Sequence, residues 1–178
     1  SDIAILGVHT RAPVINHEEL PKMCEIPTLG ASCPTGASRP ATVDGKQSVE
    51  IVEEQCMYCG NCYTVCPACT INNAKTDGIS IWVGGKVSNS RTPPQFSKLA
   101  IPYLPNNPPR WPEVVEKVKL ILETYAENAQ KNERMAEWIG RIGWPKFFEM
   151  IGQEFTKYHI DDFTHAGETY TRTAQLRH

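Results

Sequence analysis

Apolar positions fall into two rhythms, with a proline-rich stretch between them. The first half of the chain carries short runs and alternations that predict strands. Ile3 to Val8 is an apolar run of strand length, followed by a loop at Thr10-Arg11-Ala12-Pro13. Residues 41–52 predict a hairpin: Asp44-Gly45 supplies the turn, flanked by Val43 and the alternating Val49 and Ile51. After a second turn at Asp77-Gly78, Ile79-Ser80-Ile81-Trp82-Val83 alternates again and stops at Gly84-Gly85-Lys86. Asn16 is placed to cap a short helix beginning near His17-Glu18-Glu19. From 91 to 112 seven of the fourteen prolines occur, which excludes a regular helix and leaves room for a short strand at Leu99-Ala100-Ile101. Pro112 then opens a helix whose Val114, Val115, Val118, Ile121, Leu122 and Tyr125 share one face. Met135, Trp138, Ile139 and Ile142 resume that spacing, so the polar stretch 126–134 is either an outward part of one long helix or a break. Gly143 ends it, and Trp144-Pro145 starts another short helix through Phe147, Phe148 and Ile151. These helical faces read as core.

Composition narrows the class. A length of 178 residues suits one to two domains. A net charge of −2 gives no general draw to nucleic acid or to a membrane surface, and no apolar run reaches the length of a membrane span. No secretory signal opens the chain, so the expected location is cytoplasmic. The first residue is Ser1 and a strand begins at once, so the chain is expected to start within a domain, as a piece of something longer. Seven cysteines, six of them in or near two motifs, suit metal ligation in a reducing compartment better than a disulfide framework.

Those motifs carry the chemistry. Cys56-Met57-Tyr58-Cys59-Gly60-Asn61-Cys62-Tyr63-Thr64-Val65-Cys66-Pro67 reads Cys-x2-Cys-x2-Cys-x3-Cys-Pro, the bacterial ferredoxin spacing for a 4Fe-4S cubane. The fourth cysteine of such a run serves a different cluster, so Cys56, Cys59 and Cys62 need a remote partner. Cys33, in Ser32-Cys33-Pro34-Thr35-Gly36-Ala37, resembles the distant Cys-Pro ligand of ferredoxins. The expected site is one 4Fe-4S cluster on Cys33, Cys56, Cys59 and Cys62. A zinc ribbon is the competing reading, but it favours two separated Cys-x2-Cys pairs. The positions of a second cluster's remaining ligands are filled mostly by residues such as Ile26, Pro27 and Leu29. Cys24, Cys66 and Cys69 are therefore expected to pack as small apolar thiols, with Cys66 the alternative ligand because Pro67 follows it. His17 reads as a surface or capping histidine. His159 beside Asp161 and Asp162 reads as solvated tail rather than metal site.

The whole chain resembles the C-terminal half of the β subunits of dissimilatory sulfite reductases. The resemblance lies in Ser1-Asp2-Ile3-Ala4, Cys24-Glu25-Ile26-Pro27, Ala31-Ser32-Cys33-Pro34-Thr35, the Cys56–Tyr63 run, Val83-Gly84-Gly85-Lys86-Val87-Ser88-Asn89, Pro108-Pro109-Arg110-Trp111-Pro112, Arg141-Ile142-Gly143-Trp144 and Ile160-Asp161-Asp162-Phe163. It implies an α+β fold, with a ferredoxin-like 4Fe-4S domain inserted in a sirohaem-binding sulfite/nitrite reductase-type domain. The expected division is 1–20 and 84–178 for the sirohaem-type parts and 21–83 for the ferredoxin-like part. It implies an α2β2 assembly with an α subunit, a small sulfur-carrier protein as partner, and six-electron reduction of sulfite at sirohaem. Cys33, Cys56, Cys59 and Cys62 correspond to the inserted domain's cluster. The family's sirohaem-coupled cysteines lie upstream of Ser1, so no catalytic residue is assigned in this chain. A reverse-running enzyme of sulfur oxidisers, or an electron-transfer module without its own catalytic cofactor, are the alternatives. Sirohaem's carboxylates call for basic partners. Among Arg11, Arg39, Lys86, Arg91 and Lys98, Lys86 is the best placed, since Gly84-Gly85 admit close backbone approach. The alternative is a solvated lysine at a strand-ending turn.

Overall fold

The structure is a computed structural model, and it describes residues 1–87, 93–156 and 159. It is an α+β fold of two compact units, one interrupting the other in the chain. The first unit opens with β1 (Ile3–Val8). The second, His9–Thr76, then runs through β2 (Val14–Ile15), α1 (Leu20–Met23), α2 (Ile26–Ser32), β3 (Ser38–Val43), β4 (Lys46–Ile51), α3 (Asn61–Val65) and β5 (Cys69–Thr70). From Asp77 the chain rejoins the first unit as β6 (Gly78–Val83), β7 (Lys98–Pro105), α4 (Pro112–Asn128), α5 (Met135–Ile142) and α6 (Trp144–Met150).

The first unit is an antiparallel sheet in the order β1-β6-β7. Its register runs from Ile3 opposite Val83 to Val8 opposite Gly78. The chain thus leaves this sheet and returns to it at facing positions, which is where a compact segment is inserted at least cost to the host. The alternating residues Ile81 and Val83 of β6, with Ala100 and Ile101 of β7, meet the helices at Val114, Ile121, Met135, Trp138, Ile139 and Phe147. Trp138 stands edge-on to both Tyr125 and Phe147, with centroids 5.7 Å away in each case.

In the second unit, β2 pairs with β5 and β3 with β4. Asp44 and Gly45 take φ of 50° and 74°, the paired left-handed residues that a two-residue hairpin turn requires. Leu20, Leu29, Val49, Cys66, Ala68 and Cys69 form a small core.

Several expectations change. Strand β6, expected in the ferredoxin-like part, pairs with β1 and β7, so the compact units do not follow the 1–20, 21–83, 84–178 division. Asn16 does accept the N–H groups of Glu18 and Glu19, both at 3.2 Å, but the helix begins only at Leu20. His17 bonds Ser48 Oγ at 2.7 Å. The polar stretch 126–134 contains a break: α4 runs on to Asn128, and α5 starts afresh at Met135, with Glu137 accepting the Arg134 N–H. On α4, Val115 and Leu122 point to solvent, while Thr124 is buried. His159 is packed rather than solvated, its ring stacked on Phe155 and its Nε2 3.1 Å from the Ala100 carbonyl oxygen. Arg91, Asp161 and Asp162 lie outside the described residues.

Candidate metal centre

Cys33 caps the C-terminal end of α2. Pro34 follows without an N–H, and Gly36, at φ 69°, turns the chain back so that its own N–H reaches the Cys33 carbonyl at 3.3 Å. That turn aims other donors at the Cys33 sulfur: the backbone N–H groups of Ser38, Thr35 and Ala37, and the Thr35 hydroxyl at 3.6 Å. Burial pushes the Cys33 thiol up, but these donors outweigh it and hold the group below its ordinary range.

Cys56 follows a single 3-10 turn at Glu53–Gln55. Between it and α3 two residues adopt left-handed backbone, Tyr58 at φ 54° and Gly60 at φ 77°. The first is a costly conformation for a side chain of that size. Gly60 has no room to spare: a Cβ there would sit 3.4 Å from His9 Nε2. The two reversals curl the loop so that Cys56, Cys59 and Cys62 line the same cavity as Cys33. Cys59 is exposed and the other three thiols are half-buried.

Neighbouring thiols along this cavity influence one another's ionisation. Burial first, then the charges of Cys33 and Cys59, push the Cys56 thiol up against the pull of the Tyr58 N–H. Burial, and the charges of Cys56 and Cys59, do the same to Cys62 against the N–H groups of Tyr63 and Cys62 itself.

The residues present fit a cubane: four thiols line one cavity, and thiolates are the ligands such a cluster takes. Ser38 also lines the cavity, and its Oγ is buried with no hydrogen-bond partner among the described residues. Sequence reasoning missed Thr35 and Ser38. The only signal was their place just after the Cys33-Pro34 turn.

The other cysteines depart from expectation. Cys24 and Cys66 are joined by a disulfide, with Cα atoms 5.6 Å apart, and do not pack as separate thiols. Cys66 is thereby removed as an alternative ligand. Cys69 is the buried free thiol that was expected, and burial, with the Cys62 charge, pushes it up to about 11.

Lys86 is not a solvated lysine. Its side chain is 0% exposed and its Nζ lies 3.0 Å from Glu137 Oε1. The close approach that Gly85 permits is to the chain's own Ser1, whose carbonyl oxygen would stand 2.6 Å from a Cβ at that position. The other described basic candidates are also engaged: Arg11 with the Asn72 carbonyl, Arg39 with Gln55, and Lys98 over the Trp144 ring.

A ferredoxin-like thiol cage set in an α+β unit defines an iron–sulfur protein class. Residues 1–158 match the family described as "Nitrite and sulphite reductase 4Fe-4S domain", and the chain belongs to that family. It is 50% identical, over 163 residues and 92% of its length, to the protein of Archaeoglobus fulgidus named "Sulfite reductase, dissimilatory-type subunit beta". The protein of the same name from Nitratidesulfovibrio vulgaris is also 50% identical, over 167 residues. The chain spans 44% of the length of each. Among solved structures, "dissimilatory sulfite reductase I (DsrI)" superposes with a TM-score of 0.74 at 25% identity, covering 91% of this chain and 40% of the other. Among the described residues no helix is long and apolar enough to cross a membrane.

Proposed function

We propose that the chain is the electron-accepting portion of a dissimilatory sulfite reductase β subunit, with one 4Fe-4S cluster on Cys33, Cys56, Cys59 and Cys62. The observation that carries the reading is the ring of four thiols around one cavity, in a chain whose family is described as a 4Fe-4S domain. When bound, the cluster supplies one-electron transfer. The residues do the rest. The four cysteines hold the iron as thiolates. The N–H groups of Thr35, Ala37, Ser38, Tyr58 and Tyr63 point at their sulfurs and favour the more negative state. Pro13, Pro34, Ile51 and Ile71 keep the inner wall apolar. Cys59 and Met57, both exposed, leave one side open to an electron donor.

In the assembled enzyme the electrons would serve the six-electron reduction of sulfite to the sulfide level at sirohaem. The assembly would be an α2β2 complex with an α subunit, served by a small sulfur-carrier protein, in the cytoplasm. Lys86 directs its ammonium at Glu137, so no step at sirohaem is assigned to a residue of this chain.

The test is Cys59→Ser in the assembled enzyme. Iron and labile sulfide should fall by one cluster's worth per β subunit and electron delivery should stop, while the sirohaem absorption bands remain. Unchanged iron and activity would refute the ligand set. A wild-type spectrum with iron–sulfur absorption and no sirohaem bands would leave only an electron-transfer module.

A further inference from the structure

Ser38, a residue of the cavity wall, carries a buried hydroxyl with no hydrogen-bond partner among the described residues. It opens β3, opposite Ile51 of β4, and is only 5% exposed. Its backbone N–H already serves the Cys33 sulfur. Its hydroxyl is buried and makes no hydrogen bond among the described residues. Leaving a buried hydroxyl unsatisfied is costly, and such groups in folded proteins generally have a partner. Ser38 also lines the cavity ringed by the four thiols. Thr35, the other hydroxyl on this wall, already has the Cys33 sulfur 3.6 Å away.

We propose that Ser38 is a positioning residue for the cluster, its Oγ–H donating to a sulfur atom of the bound cubane. This rests on the cluster reading given above. A hydroxyl proton held against a sulfur stabilises the reduced cluster more than the oxidised one, because the reduced cluster carries the extra negative charge. Ser38 would therefore raise the reduction potential. A hydroxyl is a stronger lever here than one more amide, because its proton can turn towards the sulfur that carries the most charge.

The experiment is a redox titration of the full enzyme, followed by the electron paramagnetic resonance of the reduced cluster, on wild type, Ser38→Ala and Ser38→Thr. Iron and sulfide are measured on the same samples. Ser38→Ala should keep its iron and shift to lower potential, by about tenfold in the reduced-to-oxidised ratio at fixed potential, or ~59 mV for one electron. Ser38→Thr, which keeps the hydroxyl, should return towards wild type. The Ser38→Ala spectrum should also lose one exchangeable proton coupling that wild type loses only in deuterated water. Equal potentials in wild type and Ser38→Ala, both with full iron, would overturn the proposal. If the alanine variant fails to hold iron, Ser38→Val and Ser38→Thr form a pair matched in shape. A lower potential in the valine variant then supports the proposal, and equal potentials overturn it. Wild-type protein that binds no iron at these cysteines would instead overturn the cluster reading itself.

Discussion

Glu137 is asked to do two things at once, and removing its charge should be expensive. Its Oε1 faces the Lys86 ammonium at 3.0 Å, and its Oε2 accepts the Arg134 N–H at 3.1 Å, closing the first turn of α5. Arg134 in turn grips Asp2 through two bonds, at 3.0 and 2.6 Å, tying α5 to the start of β1. Glu137→Gln keeps the shape but leaves one oxygen for two donors and removes the charge that faces a lysine whose side chain is fully buried. Removing a carboxylate that faces a buried ammonium costs about 3–5 kcal/mol. Glu137 itself is 24% exposed, so water reaches that side and the lower end applies. A weakened cap adds up to about 1 kcal/mol. The expected total is roughly 3–4 kcal/mol.

The partner change should behave differently. Lys86→Met keeps an apolar stem of similar length and leaves behind a carboxylate that water can reach, so it should cost about 1 kcal/mol. Adding Glu137→Gln to Lys86→Met should then cost little more, giving a coupling of at least ~2 kcal/mol in the double-mutant cycle. Urea unfolding followed by tryptophan fluorescence reads this out selectively. All four tryptophans, Trp82, Trp111, Trp138 and Trp144, belong to the unit that contains the pair. A loss below about 1 kcal/mol in Glu137→Gln, or equal losses in the two single variants, would refute the reasoning.

Two further predictions concern the cysteines outside the metal centre. The Cys24–Cys66 disulfide spans a sequence separation of 42, for which loop closure predicts about 4 kcal/mol. Reductant should therefore lower the stability of the inserted unit in wild type but not in Cys24→Ser, and cluster-free protein unfolded without reductant should titrate five thiols of its seven cysteines. Seven thiols would end that argument. Cys69, pushed up to about 11 by burial, stays protonated in the folded chain while the unfolded chain loses its proton near 9. The folded state then binds more protons between those values, so stability is full below pH 9 and falls by roughly 2–3 kcal/mol as pH rises towards 11. Cys69→Ala should flatten that fall, and parallel pH profiles in the two proteins would count against it.

Local rules made much of this legible in the chain. The hairpin at Asp44-Gly45, strands β1 and β6, and the helices opened by Pro112 and Pro145 follow from patterns spanning a few residues. Pairing was harder. Strand β6 sits next to the cluster loop in sequence, yet its partners are β1, some seventy positions earlier, and β7. Only tertiary packing decides that. The break before α5 was open because its N-cap residue is Arg134, a type that gives no capping signal. The four candidate ligands could be named from spacing, while the donors around their sulfurs could not. Backbone N–H groups leave no mark in a sequence, and a serine is too common to be noticed.

Cys66 shows where motif reading stops and packing takes over. In a ferredoxin-type run the fourth cysteine belongs to a second cluster. Here it is bonded to Cys24 and fully buried in the core formed by Leu20, Leu29 and Val49. Its sulfur is spent in that bond and is not offered to a second cluster. The same helix, α3, therefore presents Cys62 to a cavity and hands its C-terminal Cys66 to a covalent staple. The staple fixes the end of the segment that carries three ligands of the remaining site. If the proposed cluster is held this way, the wall around it is where its potential is set, and Ser38, whose hydroxyl has no partner among the described residues, is the informative residue to change.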